Sequence, residues 1–265
     1  VLENKNNWSK ISKTDRIAVL EGKSKQNEYE KKLEKARMLV DGDNFSNFMN
    51  SLKINDAIPK NIEVENEYEF NALKSILKSI RYAYKEQVLT LVGLAKTYAL
   101  DPRNDEKLQQ GFNKILSDYD FDTSFEDVQE KIAGWRDNFR SIILGYLHEI
   151  FNKSFENIDF SKEIVQGAVW LMKESMPGTS AQKYKQGDKE HNLSDYRDFN
   201  DDLWYSATHS EEITWPKFDF ILADEVQDFN EAQKIMLKKL LDQGGKIVAV
   251  GDPNQCVVEG TLIET

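Results

Sequence analysis

The chain has 265 residues, which is enough for one large domain or two ordinary ones. Acidic residues outnumber basic residues by 46 to 35, and the resulting net charge of −11 excludes a generally basic nucleic-acid coat, although not a local binding groove. One cysteine and three isolated histidines exclude an internal disulfide bond and the common structural zinc sites. No apolar run approaches the roughly 18 residues that cross a bilayer, and no signal-peptide core is present. These features predict an intracellular soluble protein with no membrane contact.

Residues 1 to about 175 have the composition and the apolar spacing of helices. Apolar side chains recur at steps of three and four over 66–100, which predicts a long amphipathic helix. A second long helix is predicted to start at Thr123, with Glu126 completing a capping box. A short, highly charged helix is predicted over 27–40 and is expected to lie on the surface. Large aromatic residues on the second helix are interpreted as core rather than as a base-stacking platform: Trp135, Phe139, Tyr146 and Phe151.

The pattern changes near residue 215, after a polar stretch that begins at Pro177. The apolar runs 217–223 and 246–251 each predict a short buried strand of a parallel sheet. Asn230 is expected to cap a helix between them, with Gln233 at the reciprocal capping position. Strand, helix and strand in this order form a βαβ unit, so the predicted fold class is α/β, preceded by a mainly helical domain.

Both predicted strands end in acidic residues, Asp224 and Glu225 after the first and Asp252 after the second. Ligands of such sheets lie beyond the carboxyl ends of the strands. In nucleotide hydrolysis one carboxylate can hold Mg²⁺ while its neighbour orients or deprotonates the attacking water. Two alternatives remain open at this point: a solvated acidic loop without a function, and a nuclease that uses the three acids as metal ligands.

Two motifs stand at these strand ends, Asp224-Glu225-Val226-Gln227-Asp228 and Gly251-Asp252-Pro253-Asn254-Gln255. The chain resembles superfamily 1 DNA helicases of the UvrD/Rep type, whose motif II reads D-E-x-Q-D and whose motif III begins G-D-x-x-Q. A third segment, 198–204, is a weaker match to the D-F-x-D-[ML] pattern that precedes motif II in these enzymes.

The resemblance implies an ATP- and Mg²⁺-dependent helicase that moves along single-stranded DNA and unwinds duplex DNA, in the cytoplasm of a bacterial or phage-infected cell. It implies that Asp224 serves Mg²⁺, that Glu225 is the catalytic base, and that Gln255 contacts the γ-phosphate. Supporting positions around these groups are expected at Gln227, Asp228 and Asp252.

The chain departs from the family pattern in two places. No phosphate-binding loop of the form G-x-x-x-x-G-K-[ST] is found, since Gly22-Lys23-Ser24 has Ile17 where the first glycine should be. The arginine motifs of the family are expected after residue 255. The chain is therefore interpreted as an internal piece whose partner is the rest of the helicase, with a helical insertion over 1–197 and part of a RecA-like P-loop NTPase sheet over 198–255. The alternative is a non-catalytic, helicase-derived binding or regulatory module.

Residues 256–265 do not continue motif III and instead resemble the first residues of an intein. The segment reads Cys256-Val-Val-Glu-Gly-Thr-Leu-Ile-Glu-Thr265 and contains the only cysteine of the chain. Splicing requires a nucleophile at this first position, because its thiol attacks the carbonyl of the preceding residue, Gln255. Cys256 is therefore predicted to be an intein nucleophile, and divergence of motif III around a structural cysteine is the alternative.

Overall fold

The computed structural model of the protein describes residues 34–176, 183–186, 189–192 and 199–252. In this part of the chain, a helical body precedes a small parallel sheet. The helices are α1 Glu34–Asp41, α2 Asp43–Ser51, α3 Glu67–Thr97, α4 Asp105–Asp118, α5 Glu126–Ala133, α6 Asp137–Phe151, α7 Ser161–Glu174, α8 Phe199–Thr208 and α9 Glu231–Leu241. The strands are β1 Lys183–Gln186, β2 Lys189–Asn192, β3 Phe220–Ala223 and β4 Lys246–Ala249.

Helix α3 is the central element of the helical body and confirms the helix predicted over 66–100. It begins after Asn66, whose side chain accepts the backbone N–H of Glu69. The residues that recur at steps of three and four, among them Leu73, Leu77 and Ile80, are fully buried. Helices α4, α6 and α7 pack against this buried stripe, so the periodicity marks the contact face of the helix.

The second predicted helix is two helices, and its predicted capping box is wrong. Helix α5 begins at Glu126, whose backbone N–H is capped by the carboxylate of Asp122 rather than by Thr123. The chain leaves the helix at Gly134, and Arg136 has an extended backbone before α6 starts. The apolar period runs across this break because both helices face one core. The aromatic residues of this region are half-buried and pack against that core, as predicted: Trp135, Phe139, Tyr146 and Phe151.

The predicted surface position of the charged helix over 27–40 is wrong for its described part. In α1, Ala36, Leu39 and Val40 are buried, and so is Lys35. The Lys35 ammonium group donates to the backbone oxygen of Ser175 at 2.6 Å and lies 3.4 Å from the carboxylate of Asp201. A charged residue can be buried when such partners are present. Those partners follow much later in the chain.

A short hairpin that the sequence did not predict follows α7 and precedes α8 in the chain. Strands β1 and β2 pair antiparallel, with Lys183 opposite Asn192. Neither strand has the alternating apolar pattern that reveals a half-buried strand.

The predicted βαβ unit is confirmed as β3, α9 and β4. The strands pair in parallel, with Phe220 opposite Lys246. Helix α9 begins with a full capping box in which Asn230 and Gln233 each accept the other's backbone N–H. Helix α8 contacts both α9 and α3, so it joins this unit to the helical body.

The predicted burial of the two strands is wrong for most of their large apolar side chains. Leu222 is 80% exposed, and only Ala223 of β3 is buried. The described residues place no element over the exposed side chains. The apolar strand and post-strand side chains with the largest exposed fraction are those of Phe220, Leu222, Val248 and Val250.

Candidate functional site

The acidic residues singled out in the sequence lie at the carboxyl ends of the two parallel strands. Asp224 and Glu225 follow β3 directly and are exposed, and Asp252 follows β4 and is half-buried. The backbone N–H of Val250 donates to the oxygen of Ala223 at 2.8 Å, and the N–H of Val226 donates to the oxygen of Val250 at 3.1 Å. These bonds hold the two post-strand loops side by side.

Glu225 adopts a left-handed backbone conformation, with φ 54° and ψ 43°. This region is unfavourable for a residue with a side chain and costs on the order of 1–2 kcal/mol. Two local hydrogen bonds stabilise this conformation. The backbone N–H of Glu225 donates to Asp224 Oδ1 at 3.0 Å, and the backbone oxygen of Glu225 accepts the N–H of Asp228 at 2.9 Å. The chain then makes a single 3₁₀ turn over Val226–Asp228. A strained backbone conformation persists where the surrounding structure enforces it. Here the enforced conformation sets the direction of the Glu225 carboxylate.

Gln227 is the buried polar residue of this site, with 1% of its surface exposed. Its Nε2 donates to Glu225 Oε2 at 2.5 Å, and its Oε1 accepts the backbone N–H of Asp252 at 3.1 Å. One side-chain amide therefore connects the carboxylate after β3 with the backbone after β4.

The sequence reasoning missed the role of Gly251 in this arrangement. A Cβ atom at this position would overlap the Oε1 of Gln227 and crowd the Cγ2 of Val226. Glycine is the residue that leaves room for the buried amide. The sequence shows this glycine as part of the second motif. It does not show that Gln227 lies next to the glycine at the strand ends.

The donor groups at the strand ends fit a magnesium ion that is shared with a phosphate ligand. Asp224 offers an exposed carboxylate, and Mg²⁺ is commonly held by one or two carboxylates together with phosphate oxygens and water. In the part of the chain that the structure describes, no three Asp, Glu, His or Cys side chains converge on one metal position. Asp224, Glu225 and Asp252, the three acids of the nuclease alternative, are among the residues to which this applies.

Two predicted site residues, Gln255 and Cys256, lie outside the described residues. Asp228 is half-buried at the end of the 3₁₀ turn, where its backbone N–H donates to the backbone oxygen of Glu225.

The described part of the weaker motif, residues 199–204, lies at the junction of α8 with the helical body. Asp201 is buried and accepts a hydrogen bond from Lys96 Nζ at 2.5 Å. Trp204 is also buried, and its Nε1 donates to the backbone oxygen of Leu100 at 2.7 Å. In this structure the described part of the motif anchors a helix through buried Asp201 and Trp204.

The fold and the site define a class of protein: an α/β protein with acidic residues at the carboxyl ends of parallel strands, where such sheets bind ligands. No helix within the described ranges is long and apolar enough to span a membrane.

The comparison with family models gives a more specific result. The model described as the UvrD/REP helicase N-terminal domain matches residues 2–259. No curated protein and no solved structure matches the chain significantly. Because the family match covers nearly the whole sequence, the chain belongs to the UvrD/REP helicase family.

Proposed function

We propose that the chain is part of an ATP-dependent DNA helicase that hydrolyses ATP at the ends of β3 and β4 to move along single-stranded DNA and separate duplex DNA. The observation that carries this proposal is the pair Asp224 and Glu225, side by side at the end of a parallel strand in a chain of the UvrD/REP family. ATP and Mg²⁺ are the expected cofactors. DNA and the rest of the helicase are the expected partners.

The two carboxylates take different roles in this proposal. Asp224 would hold Mg²⁺ through one exposed oxygen, and the bound ion would neutralise charge on the phosphates. Glu225 would orient the attacking water and accept its proton, for which the left-handed backbone fixes the position of the carboxylate. Asp228 and Asp252 would support the loops, and Gln255 would contact the γ-phosphate.

The other parts of the reaction require a phosphate loop and the arginine motifs of the family, and this sequence matches neither pattern. A phosphate loop and arginine side chains must neutralise the transferred phosphoryl group. We assign them to the rest of the helicase, residues 198–255 to the ATPase core, and residues 1–197 to a helical insertion. A non-catalytic binding module is the competing function.

The test is Glu225→Gln in the full-length helicase, with Glu130→Gln on the exposed face of α5 as the matched control. Loss of the base should lower the kcat of DNA-stimulated ATP hydrolysis by about a hundredfold or more and leave ATP binding within about twofold. The control should behave as wild type. Wild-type turnover by Glu225→Gln would refute the assignment, and absence of ATPase activity in the full-length wild-type protein would favour the binding module.

We further propose that the segment 256–265 begins an intein. The Cys256 thiol would attack the carbonyl carbon of Gln255, the peptide C–N bond would break, and a thioester with a free Cys256 amino group would form. Cys256→Ala in the full precursor should then leave it unspliced. Detection of Cys256 in the mature helicase by mass spectrometry would refute this proposal.

A further inference from the structure

We propose that Gln227 is a positioning residue that holds the Glu225 carboxylate and makes its position depend on the loop after β4. This inference rests on the proposed function, since it assigns Gln227 a part in the work of the catalytic base. Gln227 itself need not touch the substrate.

The first argument is the use of both ends of the side-chain amide. Nε2 donates to Glu225 Oε2 and Oε1 accepts the N–H of Asp252, with the side chain buried between them. An ionised glutamate could accept but not donate, and methionine could do neither with comparable strength. Of the side chains of this length, an uncharged amide satisfies both neighbours at once.

The second argument is the fit between Gln227 and Gly251. The Oε1 atom occupies the space that a side chain at residue 251 would need. Buried polar groups depend strongly on such geometry, because a displaced amide would leave the Asp252 N–H and a Glu225 oxygen without this partner. The glycine and the glutamine therefore act as a pair, and a methyl group at 251 should disturb the amide without changing it chemically.

The third argument is the connection between the two loops. The backbone bond from Val226 to Val250 and the side-chain bonds of Gln227 join the same two segments. The β4 loop leads on to Gln255, the proposed γ-phosphate contact. A shift of this loop would move the Asp252 N–H, and the amide would transmit that shift to Glu225.

The experiment is a pair of mutant cycles in the full-length helicase, with ATPase kinetics and melting temperature measured for each variant. Gln227→Met should lower kcat about 10- to 100-fold, because a small misplacement of a catalytic group costs rate, and should leave the KM for ATP within about twofold. Gln110→Met, on the exposed face of α4, is the matched control and should behave as wild type. In the Glu225→Gln background, Gln227→Met should cost no further activity, since the two residues act as a unit.

Gly251→Ala is the second variant and keeps the proposal testable if Gln227→Met folds poorly. It should lower kcat to a similar degree, and its effect should shrink in a Gln227→Ala background, where the overlapping oxygen is gone. A purely structural role predicts a lower melting temperature with unchanged kcat per folded molecule, and that result would overturn the proposal. Independent, multiplicative effects of Gln227→Met and Glu225→Gln would also overturn it. If Glu225→Gln alone retains wild-type turnover, the proposed function fails instead.

Discussion

Removal of the buried carboxylate of Asp201 should destabilise the protein far more than removal of an exposed one. Asp201 Oδ1 lies 2.5 Å from Lys96 Nζ, and Oδ2 lies 3.4 Å from Lys35 Nζ. The three side chains are between 1% and 4% exposed. They join α1, α3 and α8, so the cluster connects segments that are distant in the sequence.

The expected magnitude follows from these distances. At an effective dielectric constant of about 20, the two attractions are about 7 and about 5 kcal/mol, and desolvation of the three groups offsets much of both. Removal of one charged side chain leaves its partners buried without that opposite charge, which typically lowers the free energy of unfolding by about 3–5 kcal/mol. Asp201→Ala should therefore lose about 3–5 kcal/mol of unfolding free energy. Asp201→Asn, which keeps one acceptor oxygen, should lose less.

The assay is urea unfolding of the 265-residue chain, followed by far-UV circular dichroism. The matched control is Asp137→Ala, which removes an exposed partner of Arg140 at 2.9 Å and should cost about 0–1 kcal/mol. Equal losses in the two variants, within about 1 kcal/mol, would refute the reasoning that burial decides the contribution of Asp201.

Two further predictions concern packing and pH. Gly167→Ala should destabilise the chain by about 1–3 kcal/mol, because its Cβ would overlap the hydroxyl of buried Tyr84, whereas Gly145→Ala, with open space around its Cβ, should stabilise it by about 0.5–1 kcal/mol. Thermal unfolding of both variants checks this contrast. Burial raises the pKa of Asp159, but hydrogen bonds from Ser161 and Thr123, together with the positive charge of Lys153, outweigh it and lower the net pKa. A lowered carboxyl pKa stabilises the fold above about pH 4 and loses that contribution as the pH falls below it. The stability difference between wild type and Asp159→Asn should therefore shrink between pH 7 and pH 3, and a constant difference would contradict the assignment.

The sequence predicted the elements whose signals are local. The period of apolar residues is repeated within α3, and the reciprocal cap of α9 needs only Asn230 and Gln233. The acids at the strand ends could also be predicted, because a βαβ unit places the carboxyl ends of its strands together. Each of these patterns spans a few residues or one supersecondary unit.

The features that the sequence could not reveal depend on partners far along the chain. A helix with the composition of α1 is usually solvated, and Lys35 is buried because Asp201 and Ser175 meet it there. In the sequence, Gly251 looks like any glycine that follows a strand. Only the folded structure shows that the side-chain amide of Gln227 occupies the space beside it. The break between α5 and α6 was hidden because the apolar period continues across it. For Lys35 and Gly251 the deciding contact is tertiary.

The exposure of the parallel strands explains why their burial was predicted wrongly. Near-continuous apolar runs are typical of strands covered on both faces. Leu222 and Val248 nevertheless remain largely exposed, although they pair side by side in the sheet. Exposed apolar patches of this kind mark surfaces that contact other protein. The apolar side chains of β3 and β4 are thus suited to a sheet that is covered on both faces, which is the arrangement that their sequences predicted.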